Sequence, residues 1–422
     1  MQNKKIHFIG IGGIGVSGLA RLYLHEGAMV SGSDIAESDN TRRLSEEGAD
    51  VVYEQTAGNI SSRSHLELVV YTEAMAADHP ELVAARAAGI RTINYFEALG
   101  EIANDYYLIA VAGTHGKTTT TAMLVDILEE ASYDPSAIVG SLRTKTGSNY
   151  RAGKSKYFVV EACEYKRDFL TLQPDVLVIT NLEHEHVDYY QDLADVQSAF
   201  AELAERVPAD GYIIAPAKDV QVSPVLADVS AEVIDYQKHI DLSLRLPQPG
   251  LYTQLNAAAA SAAATAVGVE QSFVTTALEN FAGTKRRFEY KGLCNNAPVY
   301  DDYAHHPTEI KAAIAGVREK YPDRKLTVIF QPHTYSRTVE LQTEFVAALQ
   351  QADRVVLVPI YAAREVDTGA ISSAMLAEQV GGTHFETLPA AAQSVKEQVG
   401  TDDVVVVMGA GDITQVADQM VS

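Results

Sequence analysis

At 422 residues the chain is longer than one ordinary hydrophobic core supports, so two or three domains are expected. Its composition, 47% hydrophobic and 21% charged without tryptophan, excludes a disordered or low-complexity chain and fits a globular enzyme. The net charge of −23 argues against non-specific nucleic-acid binding. It leaves phosphate-bearing small substrates open, because N–H cradles, helix starts and a few cations hold those locally.

The basic start, Lys4-Lys5, runs directly into the apolar Ile6-His7-Phe8-Ile9 and then into glycines, rather than into an apolar leader, so a cytoplasmic location is expected. Gly10, Gly12, Gly13, Gly15 and Gly18 follow that strand. Glycines there let the chain turn tightly and bring backbone N–H groups against a phosphate, with a helix start behind them. Gly12, Gly13, Ile14 and Gly15 are therefore candidate substrate contacts. Asp34, closing a second strand, stands about where a ribose-binding acid sits in a dinucleotide fold. Further strand-like runs at 50–53, 68–71 and 90–93 alternate with helical stretches, which predicts a Rossmann-like parallel α/β domain over residues 1–103. The pyrophosphate bound there could belong to NAD or to a UDP-sugar.

The next strand, 107–111, leads into Gly113-Thr114-His115-Gly116-Lys117-Thr118-Thr119 and a helix predicted over 119–128. Strand, glycine loop, Lys-Thr and helix in that order cradle a triphosphate: Lys117 reaches the β- and γ-phosphates and the Thr118 hydroxyl reaches Mg²⁺. Val111 stands where the longer form of this loop has its first glycine, so the loop is short. Two later strand ends supply acids and a histidine. Residues 157–160 deliver Glu161 and Glu164, and 176–180 deliver Asn181, Glu183, His186 and Asp188. Mg²⁺ prefers oxygen, so Glu161 with Thr118 is the favoured pair, with His186 near a second ion. His184 reads as a surface residue. Cys163 and Cys294 have neither the number nor the spacing for a disulfide framework or a Cys-x-x-Cys site.

The run 256–268 is mostly alanine and only about a dozen residues long, which suits a closely packed helix rather than a bilayer crossing. Lys285-Arg286-Arg287 then sits beside a turn, and adjacent arginines point apart, so one of the two is expected to meet phosphate. From Pro298 a second α/β pattern begins. Asp301-Asp302-Tyr303-Ala304-His305-His306 lies between a strand end and a helix starting near Thr308. Gln331 to Arg337 and Gly409 to Asp412 follow two further strands. The domains expected are 1–103, a central P-loop domain 104–296 and a C-terminal α/β domain 297–422. A dehydrogenase would leave the P-loop unused, and a kinase would leave the first glycine cluster unused. Both together point to ATP driving a reaction on a nucleotide-linked substrate, with a carboxylate activated as an acyl phosphate and captured by an amine.

At these residues the chain resembles the Mur ligases of bacterial peptidoglycan synthesis. The marks are His7 to Gly15, Gly113 to Thr120, Thr180 to Glu183 with His186 and Asp188, Gly283 to Glu289, Asp302 to Pro307, Gln331 to Arg337 and Gly409 to Asp412. The resemblance spans essentially the whole chain and implies the three-domain architecture of that family. It implies UDP-N-acetylmuramate, L-alanine and ATP with Mg²⁺ as reactants, in a cytoplasmic monomer or homodimer without nucleic-acid or membrane partners. It also implies Lys117, Glu161, His186 and Arg287 as catalytic residues, with Thr118, Glu161 and His186 on metal. Asn256 would contact adenine and Arg287 the phosphates; Asp302, His305 and Arg337 would serve the C-terminal part of the nucleotide site. The alternatives are a ligase that attaches a tripeptide in murein recycling and a weakly active UDP-sugar-binding paralogue. Departures from the family pattern are Cys163 and Lys166 in place of acids, Tyr252 and Thr253 in place of histidine and asparagine, Glu73-Ala74 in place of serine-alanine, Tyr95 in place of arginine, and a shortened stretch beyond Pro216. Lys166 is expected either to pair with Glu164, offsetting the lost acid, or to stand exposed.

Overall fold

The structure is a computed structural model that describes residues 2–73, 75–187, 189–363 and 365–421. Two compact units emerge: the first comprises Met1–Asp241 with Asn256–Leu278, the second Leu242–Leu255 with Glu279–Ser422.

The first unit holds two sheets. Strands β1 (Lys5–Ile9), β2 (Met29–Ser33), β3 (Asp50–Val52), β4 (Leu68–Tyr71) and β5 (Arg91–Asn94) pair in the order β3-β2-β1-β4-β5, all parallel. The order reverses at β1, which places the crevice for a ligand at the carboxyl end of that strand, where the glycines lie. The second sheet comprises β6 (Tyr107–Ala112), β7 (Ser136–Arg143), β8 (Ser148–Arg151), β9 (Tyr157–Glu161), β10 (Val176–Ile179), β11 (Tyr212–Ala215) and β12 (Glu232–Asp235). Their order is β12-β11-β10-β6-β9-β7-β8, with only β7 and β8 antiparallel. Strands β6, β9 and β10 are near-continuous apolar runs buried on both faces, as central strands of a parallel sheet are. Their neighbouring positions bring the loops after 112, 161 and 179 to one edge. Phe8, Val70 and Leu99 of the first sheet region belong to the same buried cluster as Leu108, Phe158 and Leu177 of the second. A single core therefore runs through both sheets.

The β7–β8 hairpin clasps the first sheet's leading helix, Ile14–His25. Asn149 Nδ2 donates to the Ile14 carbonyl, Arg21 Nη1 donates to Ser148 Oγ at 2.6 Å, and Arg43 donates to the Gly147 carbonyl at 2.5 Å. Beneath the hairpin Arg143 joins Asp126 and Glu129, and Arg151 also reaches Glu129, at 2.6 Å.

The second unit contains β13 (Glu289–Cys294), β14 (Ala297–Asp302), β15 (Lys325–Phe330), β16 (Arg354–Leu357), β17 (Thr383–His384) and β18 (Asp403–Met408) in the order β13-β14-β18-β15-β16-β17. Strand β13 is antiparallel to β14 and the others run parallel, so the loops after β14, β18 and β15 lie side by side. Among the described residues no helix is long and apolar enough to cross a membrane.

Two elements extend beyond their sequence expectation. The helix after the P-loop runs Lys117–Glu130, and the alanine-rich helix runs Leu251–Ala266, starting just after Gly250 in a left-handed conformation (φ 100°).

Candidate active site

The loop Gly113–Gly116 leaves β6 and turns into the helix Lys117–Glu130, whose first threonines, Thr118 to Thr121, are buried. Its shape is held from the neighbouring strand. Asn181 accepts from the His115 N–H at 2.9 Å through its side chain and from the Thr114 N–H at 3.0 Å through its carbonyl, and Thr180 Oγ1 donates to the His115 carbonyl at 2.6 Å. Gly116 sits at φ 84°, and a Cβ there would strike the Asn256 carboxamide, so only glycine lets the helix carrying Asn256 approach this closely. Asn256 is thus placed against the loop.

Lys117 Nζ donates to the Gly113 carbonyl at 2.5 Å and the Thr114 carbonyl at 3.1 Å, and it contacts both oxygens of Glu164 at 3.2 and 3.0 Å. The Glu164 side chain is only 2% exposed. Burial alone would lower the Lys117 pKa, but the carboxylates of Glu164 and Glu161 carry it well above the usual lysine range, so the ammonium stays charged. Thr118 Oγ1 donates to Glu161 Oε1 at 2.9 Å, while Glu161 Oε2 accepts from the Gly140 N–H at 2.7 Å. A hydroxyl and a carboxylate side by side form the oxygen donor set that Mg²⁺ selects, so these residues fit that ion. His186, at φ 55°, lies with Nε2 3.8 Å from Glu164 Oε1 and its ring against Tyr165. Asp188 and Ala74 lie outside the described residues.

The first glycine cluster carries its own cage. Asp34 Oδ2 accepts from the Gly12 N–H at 2.7 Å, and Asn40 donates to the Gly12 carbonyl at 2.9 Å. The helix Ile14–His25 begins at Gly13 without a side-chain cap, which leaves its first N–H groups to the crevice. A Cβ on Gly15 would come within 2.9 Å of the Tyr95 ring, so the glycine makes room for that tyrosine. Burial, followed by the charges of Glu161 and Cys163, raises the Tyr95 pKa far above its usual value and keeps the phenol neutral.

In the second unit Asp302 accepts from the Phe288 N–H through Oδ2 and from the Ala304 N–H through Oδ1, each at 2.8 Å. Burial pushes its pKa up to about 6, against the pull of Arg287 and these two bonds. The adjacent arginines take different polar partners, although both guanidinium groups lie over the Tyr303 ring, at 5.1 and 4.9 Å. Arg286 donates to the Gly409 and Gly411 carbonyls, tying the loop after β18 to the turn before β13. Arg287 stands 3.8 Å from Glu309 and packs over Tyr303. His305 Nδ1 lies 3.0 Å from the Tyr303 carbonyl, and Arg337 reaches His333 Nδ1 at 3.2 Å.

Three family models cover the chain in sequence: "Mur ligase family, catalytic domain" over residues 5–107, "Mur ligase middle domain" over 111–242 and "Mur ligase, glutamate ligase domain" over 286–411. The UDP-N-acetylmuramate–L-alanine ligase of Clostridium kluyveri is 39% identical over 450 residues, spanning 99% of this chain and 98% of that one. The chain belongs to the Mur ligase family. The corresponding enzyme of Agathobacter rectalis is also 39% identical, over 98% of this chain and 97% of its own length. Among solved structures, the UDP-N-acetylmuramate–alanine ligase MurC of Thermotoga maritima superposes with a TM-score of 0.82 at 29% identity, covering 99% and 98% of the two chains. A murein peptide ligase from Psychrobacter arcticus follows at a TM-score of 0.72 and 26% identity, again over 99% and 98%.

With the Mur ligase architecture in place, one sequence expectation is decided between its alternatives and one needs correction. Of the two readings of Lys166 the exposed one holds: its side chain is 38% exposed and its ammonium meets Glu73 at 3.2 Å, while Lys117 takes Glu164. The cause is local, because Lys166 and Arg167 both adopt left-handed conformations (φ 54° and 60°) that swing the lysine away from the P-loop. His184 is not a plain surface residue, since its Nε2 lies 3.1 Å from the Tyr190 carbonyl. Sequence reasoning also passed over Asp168. Burial and the facing Glu73 push its carboxyl up to about 7, and its Oδ2 is buried without a hydrogen bond. No spacing signal marked it.

Proposed function

We propose that the chain joins the carboxylate of UDP-N-acetylmuramate to the amine of L-alanine, forming UDP-N-acetylmuramoyl-L-alanine, ADP and phosphate. The observation that carries this reading is the meeting of Lys117, Thr118 and Glu161 at the ends of β6 and β9, in a chain similar over its whole length to alanine-adding ligases. A substrate carboxylate oxygen attacks the γ-phosphorus of ATP and ADP leaves. The alanine nitrogen then attacks the acyl carbon of the resulting acyl phosphate, and inorganic phosphate leaves. Lys117 exchanges Glu164 for phosphate oxygens and stabilises the charge on the transferring group. Thr118 and Glu161 would hold Mg²⁺, with His186 beside a second ion; the metal supplies charge neutralisation on the triphosphate.

In this reading residues 1–103 hold the UDP part through Gly12 to Gly15 and Asp34, and 104–296 hold ATP through Gly113 to Thr119 and Asn256. Residues 297–422 contribute Asp302, His305 and Arg337, with Arg287 just ahead of them on phosphate. A cytoplasmic location follows from the nucleotide substrates. The test is ADP release with UDP-N-acetylmuramate and ATP, offered either L-alanine or the tripeptide L-alanyl-γ-D-glutamyl-meso-diaminopimelate. Release with alanine is expected. Release with the tripeptide alone would move the chain to the recycling reaction, and tight UDP-sugar binding without release would make it a binding paralogue.

A further inference from the structure

Beside the oxygen pair of Thr118 and Glu161 lies a donor set of different chemistry. The Cys163 sulfur, a Glu164 oxygen and a His186 ring nitrogen all lie within 4.8 Å of one another. We propose that these three side chains form a site for a thiophilic divalent ion, zinc above all, whose occupancy withholds His186 from the second ion of the ligase reaction.

The donors lie within a short side-chain shift of a tetrahedral site. Two ligand atoms about 2.0–2.3 Å from one tetrahedral zinc ion are about 3.3–3.8 Å apart. His186 Nε2 and Glu164 Oε1, at 3.8 Å, stand about 0.4 Å beyond the roughly 3.4 Å that a nitrogen–oxygen pair spans on zinc. From 4.8 Å, the remaining pairs close with a shift of about half an ångström by each side chain. The supports are in place. Tyr190 donates its hydroxyl to the Glu164 carbonyl at 2.5 Å, fixing the backbone that carries two of the ligands, and the Tyr165 ring packs against His186 at 4.9 Å between centroids. Sulfur, nitrogen and a single carboxylate oxygen suit zinc, whereas the hard Mg²⁺ ion prefers the all-oxygen pair one step along the crevice. Three protein ligands leave a fourth position for water. On coordination the thiol proton passes to solvent and the sulfur binds as thiolate. His186 is the residue placed beside the second ion of that reaction, so zinc and that ion compete for it.

The experiment uses the full chain free of nucleotide. Titration with Zn²⁺ against a chromogenic chelator is expected to give a tight site that is weakened about tenfold or more in Cys163→Ser. Titration with Co²⁺ reads the ligand directly, because cobalt bound to thiolate shows a sulfur-to-metal charge-transfer band in the near ultraviolet. That band is expected in the wild type and absent from Cys163→Ser. Its absence from the wild type overturns the proposal without relying on any variant. A band that persists in the variant belongs to Cys294, which is buried in the second unit, and overturns it equally. The inhibitory consequence rests on the proposed ligase reaction: Zn²⁺ should suppress ADP formation by the wild type, while Cys163→Ser, active without zinc, should resist it. Loss of the ligase reading would leave the cobalt spectrum untouched, so the two failures are separable.

Discussion

Replacing Lys117 with alanine should do two separable things. Its ammonium is the cation paired with Glu164, a carboxylate only 2% exposed, through contacts of 3.0 and 3.2 Å. Removing one partner of such a pair leaves an uncompensated buried charge and costs about 3–5 kcal/mol. In a unit of this size each kcal/mol moves the midpoint by roughly 2–4 °C, so Lys117→Ala should melt about 6 °C or more below the wild type. Turnover should fall by at least about 10³, since the group that steadies the transferring phosphoryl is gone. The double variant Lys117→Met with Glu164→Gln removes the stranded charge as well as the cation. It should recover most of the lost melting temperature and none of the turnover. Differential scanning fluorimetry and an ADP-release assay read the two quantities independently. A single variant as stable as the wild type would refute the pairing, a double variant no more stable than the single would refute the buried-charge account, and near-normal ADP release by either would refute the P-loop assignment.

Two other outcomes follow from the same unit. Glu161→Gln keeps a hydrogen-bond acceptor for Thr118 and Gly140 but loses the ligand charge, so the Mg²⁺ concentration for half-maximal ADP release should rise about tenfold or more; an unchanged magnesium titration would remove Glu161 from the metal. Burial would raise the Glu129 pKa, but Arg143 and Lys145 pull it down from 4.5 to about 2. Its folded value lies below its unfolded one, so the stabilisation is complete above about pH 4.5 and fades as the pH falls towards 2. Allowing for solvent screening, this amounts to about 1–2 kcal/mol, and Glu129→Gln should flatten the wild type's loss of unfolding free energy over that acid window.

What the sequence made legible is what local spacing encodes. The glycine loop ahead of Lys117-Thr118, the parallel strands feeding it and the acids at neighbouring strand ends are visible because strand, turn and helix start occupy a few consecutive residues. The partner of Glu164 was not visible in that way. Lys166 is two positions away and Lys117 is 47, so proximity in sequence favours the wrong lysine. The left-handed turn at Lys166 and Arg167 carries no glycine to announce it. Tyr95 was recognised only as a departure from the family pattern; that it fills the space beside Gly15 needed the third dimension. The helix Leu251–Ala266 begins ahead of its alanines because Gly250 makes the turn and Thr253 Oγ1 bonds the Pro249 carbonyl, neither of which breaks the apolar pattern.

The clasp of the β7–β8 hairpin on the helix Ile14–His25 makes the first two sheets one mechanical piece. A recombination event that moved the first sheet alone would strip Asn149 from the Ile14 carbonyl and cut through the one apolar cluster that contains both Leu19 and Ile138. The inherited fragment would carry a raw hydrophobic wound where its neighbour had been. Glycine cluster and triphosphate loop therefore rest on one continuous apolar cluster, and neither sheet keeps its full core without the other.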